Sequence, residues 1–150
     1  MNKLVWFRSD LRIHDNQALN AAIEASSPDT PPIAVFFESP EQWQSHGRSK
    51  RQIDLLERSI NDLGNSLAAL GIKLFVLDAP LFADVAPMLS HFCAAQDINQ
   101  IFANSEIALD ERKRDQWVID AGLNLTTFED VGVFNVDSLC NRQGGMFRVF

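Results

Sequence analysis

The sequence predicts an α/β fold: a five-stranded parallel sheet covered by helices on both faces. Two observations carry this. Five short apolar runs rich in Val, Ile and Phe, each of about strand length, recur along the chain. Between them lie longer segments whose apolar residues recur at helical period. Alternation of this kind implies right-handed crossovers, and therefore parallel strands sandwiched between helices.

The first run is Lys3–Arg8 (KLVWFR), and a helix over 16–26 follows with Asp15 as its expected N-cap. Ile33–Phe37 (IAVFF) is the second run. A long helix over 50–70 comes next, because Ile53, Leu56, Ile60, Leu63, Leu67 and Leu70 form one apolar stripe. Ser49 and Gln52 have capping-box spacing at its start, and Gly71 supplies the stop. The third run is Ile72–Leu77 (IKLFVL), followed by a helix over 85–95 with Asp84 as cap and Pro87 in the first turn. Ile98–Ala103 (INQIFA), a helix over about 108–121 ending at Gly122, and Leu123–Phe128 (LNLTTF) complete the series.

The runs differ in a way that predicts strand order. LVWF and IAVFF are unbroken, as strands buried on both sides require. IKLFVL and LNLTTF carry polar interruptions, which suits sheet edges. The order 3-2-1-4-5 satisfies both, giving a Rossmann-like, doubly wound sheet with a crevice beyond the carboxyl ends of strands 1 and 4.

A chain of 150 residues is about one domain, and 46% hydrophobic with 22% charged residues is a normal balance for a packed core. The net charge of −7 argues against this segment gripping nucleic-acid phosphates, which needs a clustered basic face. No stretch approaches the roughly 20 apolar residues of a membrane span. The opening MNKLVWFRSD turns charged too soon for a secretory leader, so a cytoplasmic protein without a membrane partner is expected. Cys93 and Cys140 lack metal or redox spacing and are read as free thiols.

Chemistry in such a fold belongs in the loops after strands 1, 2 and 4. After strand 1, Arg8–Asn16 (RSDLRIHDN) has no glycine and matches no phosphate-cradling pattern. It reads either as an ion-pair turn satisfied within itself or as a surface meeting another domain, with His14 a surface or packing residue. After strand 2, the connecting loop 38–48 offers Trp43 and His46, an aromatic wall for a flat ligand or an anchor onto the sheet. Arg48, Lys50 and Arg51 cluster at the following helix start, against the helix dipole. They suit an anionic partner or a solvated face. After strand 4, the segment 104–115 has acidic residues early and basic ones later, as the dipole favours. One of its carboxylates in the crevice would accept two parallel hydrogen bonds from a heterocycle with adjacent N–H and NH₂ groups.

These residues also carry a resemblance. LVWFRSDLRIHDNQAL is similar to the first strand, loop and helix of the photolyase/cryptochrome family. ESPEQWQSHGRSKRQ and ANSEIALDERKRD resemble its second loop and its strand-4 loop and helix. GGMFRVF resembles the start of the segment leading towards the family's helical domain. The likeness covers essentially the whole chain in order, and the first motif is specific.

The resemblance implies that residues 1–135 are the N-terminal α/β domain that holds an antenna chromophore, commonly methenyltetrahydrofolate, and that 136–150 begin the linker to a C-terminal helical domain. In that family the helical domain, here beyond Phe150, binds FAD and damaged DNA. The reduced flavin splits cyclobutane pyrimidine dimers after the bases are flipped out. The full-length protein is then a light-driven DNA-repair lyase, and the present chain alone is expected to be inactive, with weak antenna binding at best. Glu111 falls on the family's pterin-binding carboxylate and His46 on a histidine lining the chromophore cleft. Asp110 stands where folate-binding members commonly have Asn, and an ionised Asp only accepts hydrogen bonds. Trp6 and Trp117 are expected to pack in or on the sheet rather than carry electrons.

Three alternatives make distinct predictions. A DASH-type cryptochrome or blue-light photoreceptor would share this domain and differ downstream. A free-standing nucleotide-binding module would need a glycine loop after strand 1 or 4, yet the seven glycines lie at 47, 64, 71, 122, 132, 144 and 145. A pure interaction domain would take up no chromophore.

Overall fold

A computed structural model describes residues 1–130 together with Gly132, Gly144 and Gly145. Cys140, and the expected linker 136–150 apart from its two glycines, lie outside the described residues. The elements run β1 (Asn2–Phe7), α1 (Gln17–Glu24), β2 (Ile33–Glu38), α2 (Pro40–Ser45), α3 (Lys50–Ala69), β3 (Leu74–Asp78), α4 (Phe82–Ala95), β4 (Ile98–Asn104), α5 (Leu109–Asp120) and β5 (Leu125–Phe128). All four strand pairings are parallel, and the order is β3-β2-β1-β4-β5, as the interrupted edge runs predicted.

Alternation along the central strands sends side chains to two cores. Leu4, Trp6, Val35, Phe37, Ile101 and Ala103 pack with Val85, Leu89 and Phe92 of α4 and Val118 of α5. Val5, Phe7, Ala34, Phe36 and Phe102 pack on the other face with Leu19 of α1, Trp43 of α2, and Ile60, Leu63 and Leu67 of α3. Each fully buried aliphatic side chain contributes about 1.5–3 kcal/mol of burial. Every strand therefore points its carboxyl end to the same rim.

Helix α3 begins as its capping box predicts: Ser49 Oγ accepts from Gln52 N, and Gln52 Oε1 accepts from Ser49 N. Gly71 follows its end at φ 73°, the left-handed conformation a helix stop uses. Elsewhere the structure corrects the expected boundaries. The N-cap of α1 is Asn16 and not Asp15. Its Oδ1 accepts from Leu19 N at 3.0 Å, while its amide donates to Asp10 and to the Arg12 carbonyl. A carboxylate accepts only, so Asp could fill just half of this place.

Helix α4 starts three residues earlier than expected, at Phe82. Asp84 sits inside its first turn, where its carboxylate accepts from Leu81 N at 2.9 Å. Pro87 consequently falls within the helix rather than in its first turn. Trp117, expected against the sheet, is 42% exposed on α5. Finally, the loop 38–48 contains the short helix α2, with Pro40 in its first position and Ser39 as N-cap.

Candidate functional site

At the carboxyl rim, the ends of β1 and β2 and the segment after β4 enclose a cavity of about 640 Å³ including its open mouth. The space set apart from open solvent is about 150 Å³, smaller than the roughly 300–1,000 Å³ usual for a small-molecule site. Its apolar walls are aromatic: Trp6, Phe36, Phe37, Trp43 and Phe82. Its polar lining comes from Arg8, Ser9, Arg48, Glu106, Glu111 and Arg114. At the sequence-predicted crevice between strands 1 and 4 a buried polar network fills the base, and an open groove lined by Ser9, Asp10, Asn104, Ser105 and Glu106 remains. There Asn104 Nδ2 donates to Asp10 Oδ2 at 2.6 Å and to Asn16 Oδ1 at 2.9 Å, and Asn104 Oδ1 accepts from Ala18 N. The aromatic cavity opens beside this network towards β2 and shares Ser9 and Glu106 with the groove.

Two guanidinium groups lie over the Trp6 ring, Arg8 at 4.5 Å and Arg114 at 4.8 Å from its centroid. Arg114 also lies 4.9 Å from the Phe82 centroid. Both arginines are 5% exposed, so their charges need partners. Asp115 supplies one: it accepts from Arg8 Nη1 through both oxygens and from Arg114 Nη2 at 3.1 Å. Glu106 supplies another, accepting from Arg114 Nη2 at 2.8 Å and from the Ser9 hydroxyl at 2.5 Å.

Burial, and then the nearby charge of Arg114, pull the Arg8 guanidinium below its ordinary value, with Asp115 and Glu106 opposing. Burial pushes Glu106 up, but the Arg114 charge, hydrogen bonds from Ser9 and Arg114, and the Arg8 charge outweigh it. Its carboxyl is held below the ordinary value. Arg8 Nε and Nη2 remain buried without a hydrogen-bond partner. Both belong to the guanidinium that lies over the Trp6 ring.

The structure brings the three sequence-predicted residues to this rim but divides them. His46, the C-cap of α2, has Nε2 at 3.2 Å from Asp110 Oδ2 in the first turn of α5, and its ring meets Phe82 edge-on. Lys113 donates to the other oxygen of Asp110 at 3.3 Å. Asp110 lines a separate groove with Gln42, Leu81, Phe82, Lys113 and Trp117. Glu111 faces the aromatic cavity instead. Consecutive carboxylates thus serve two different spaces.

The loop after β1 is satisfied partly within itself, through Arg8 N to Asp10 and Arg12 to the Asp15 carbonyl, and partly by distant residues. Arg8 reaches Asp115, Arg12 reaches Asp130, and Asp10 takes hydrogens from Asn16 and Asn104. His14 is exposed, as expected. Trp43 is buried and anchors α2, while Arg48 lies 5.5 Å from its ring centroid. Lys50 and Arg51 are exposed.

The sequence reading missed Arg8, Glu106, Arg114 and Asp115 as a cluster. Its signal was faint: a polar Arg closing an apolar strand, and one Arg of the run Arg112–Arg114 at helical spacing with Val118 on the buried face of α5. Among the described residues no group of three His, Cys, Asp or Glu side chains is placed to hold a metal, and no helix is long and apolar enough to cross a membrane.

Comparison with known proteins fits this geometry. The family model described as DNA photolyase matches residues 3–150. The chain is similar to the deoxyribodipyrimidine photo-lyase of Vibrio cholerae, 36% identical over 99% of this chain and 32% of that protein. It is also similar to the enzyme of that name from Escherichia coli, 34% identical over 98% of this chain and 31% of that protein. A crystal structure of the Synechocystis sp. PCC6803 cryptochrome superposes with a TM-score of 0.71 at 25% identity, covering 85% of this chain and 27% of the cryptochrome. The chain therefore spans about a third of the length of these curated relatives. With its sheet order, its rim cavity and its matched sequence, the chain belongs to the DNA photolyase family and corresponds to the N-terminal α/β domain of photolyases and cryptochromes.

Proposed function

We propose that the chain is the antenna domain of a cytoplasmic, light-driven DNA-repair enzyme, and that the rim beside Glu111 holds a flat antenna chromophore, methenyltetrahydrofolate. The observation that carries the reading is the pairing of chemistry and shape at the rim cavity: aromatic walls, a lining carboxylate at Glu111, and buried Arg8 donors lacking an acceptor. A planar heterocycle with N–H donors and a carbonyl acceptor suits that inventory.

Within this reading Glu111 accepts two hydrogen bonds from the ring and fixes its orientation. Trp43 and Phe82 exclude water from its faces. His46 and Asp110 bridge α2 and α5 at the mouth. With Asp110 already taken by His46 and Lys113, its carboxylate is not a free acceptor, which eases the clash of two adjacent carboxylates.

FAD is proposed to bind in the rest of the polypeptide, where it would supply the electron for splitting cyclobutane pyrimidine dimers. The glycine-free turn after β1 offers it no phosphate cradle here. DNA is likewise assigned to that remainder, in keeping with the net charge of −7. Residues 136–150 are proposed to begin the connection to it.

The similarity to a cryptochrome structure supports a second reading, a photoreceptor built on the same domain. One experiment separates the two. The full-length protein is illuminated with blue light in the presence of dimer-containing DNA, and restored thymines are measured. Repair in the light and none in the dark is expected, with none from the 150-residue chain alone. Absence of repair by the full-length protein would favour the photoreceptor, and repair by the isolated chain would refute both assignments.

A further inference from the structure

We propose that Arg114 is a positioning residue: it aims Glu111 into the cavity by clamping the start of α5 onto the sheet. This inference rests on the antenna reading and concerns how the ligand-facing carboxylate acquires its direction.

Helix α5 begins without a side-chain N-cap, and its first turn is tied to α2 through Asp110 and His46 at 3.2 Å. Its N-cap is Ala108, which has no side-chain acceptor for the first-turn N–H groups. The flanking Ile107 and Leu109 are 71% and 68% exposed, so no apolar contact of theirs pins the entry either. A helix start of this kind ordinarily frays. Yet it carries Asp110 and Glu111.

A second hold, and the one on the face that carries Glu111, lies one turn further on. Arg114 follows Glu111 by three residues, so the two share a helix face, and both line the same cavity. The Arg114 guanidinium is gripped from several elements at once. Trp6 of β1 and Phe82 of α4 contact its plane. Glu106, in the loop before α5, accepts from Nη2 at 2.8 Å. Asp115 accepts from Nε at 3.3 Å. Glu106 is itself tied to the loop after β1 by Ser9 Oγ. The chain Ser9–Glu106–Arg114 thus ties the start of α5 to the loop after β1 through side chains alone. Lysine at this position would keep the charge but lose the planar stack and the two-nitrogen grip.

The test is a double-mutant cycle in the full-length protein, titrating methenyltetrahydrofolate and reading both its dissociation constant and the absorption maximum of the bound pigment. Arg114→Lys should weaken binding about tenfold, the worth of one hydrogen bond to a charged group. It should also shift the bound absorption maximum. In a Glu111→Gln background the same change should weaken binding no further, because its effect runs through Glu111. Glu106→Gln should behave like Arg114→Lys, and it provides the cycle if the lysine variant does not fold. Equal losses in both backgrounds, or no loss in either, would overturn the positioning role while leaving the antenna site standing. If Glu111→Gln itself leaves binding unchanged, the antenna reading falls and this inference with it.

Discussion

Asn104 Nδ2 donates to Asn16 Oδ1 at 2.9 Å in a fully enclosed setting, joining the end of β4 to the cap of α1. The same two side chains serve the backbone N–H groups of Ala18 and Leu19 and engage Asp10. Asn16→Ala removes the cap and leaves one of the two Asn104 amide N–H groups without its acceptor, so it should destabilise the domain by about 2–3 kcal/mol. The double variant with Asn104→Ala should lose less than the sum of the singles, since they share a bond. Urea unfolding of the four proteins measures this, and strict additivity would show that the network is not one unit.

Glu106 gives stability a defined acid dependence. Its carboxyl is held below the ordinary value of 4.5, so its contribution is complete above that pH and is lost as pH falls through the lowered folded value. Glu106→Gln should cost about 1–3 kcal/mol at pH 7. It should also flatten the loss of stability below roughly pH 4.5. Thermal melts from about pH 3 to about pH 7 compare the two proteins over the window in which carboxylates titrate.

The opposite sign appears at Glu38. Burial first, then the charges of Glu57 and Asp78, raise its carboxyl above 4.5, and Asp78 is its register partner on β3. A raised carboxyl favours the folded state below its unfolded value and penalises it as pH climbs through the folded one. Glu38→Gln should therefore stabilise the domain at neutral pH by about 0.2–1 kcal/mol, the scale of a like-charge cross-strand pair. The gain should shrink in high salt and vanish in acid. A gain independent of both would point to packing instead.

Glu111→Gln retains the shape of the side chain and removes its charge. In the full-length protein it should weaken methenyltetrahydrofolate binding by about 1–3 kcal/mol. Fluorescence titration reads the change, and unaltered occupancy would remove Glu111 from the site.

Sheet order was legible because burial on two faces leaves a continuous apolar run, as in Ile33–Phe37, whereas an edge strand tolerates interruption, as in Leu125–Phe128. The capping box of α3 was equally plain, being local chemistry between Ser49 and Gln52. Helix α2 was read as a loop, because its six residues are too few to show an apolar stripe. At the rim, His46, Asp110 and Glu111 were reached through motif resemblance. Their division between two spaces was not, because the helical rotation separating consecutive side chains gains meaning only against α2 and α4. Arg8 and Arg114 were missed for a related reason. Arg8 meets Asp115 across 107 residues and Ser9 meets Glu106 across 97, so sequence spacing carried no sign of them; the partners of Arg114, Glu106 and Asp115, are local, but only the fold buries them together against Trp6.

The most direct measurement is a crystal structure of the full-length protein grown with methenyltetrahydrofolate. The expected result is density for a flat ring at the rim, with Glu111 oxygens within about 3 Å of two of its nitrogens. Pigment bound elsewhere, with Glu111 untouched, would contradict the assignment of this rim as the antenna site.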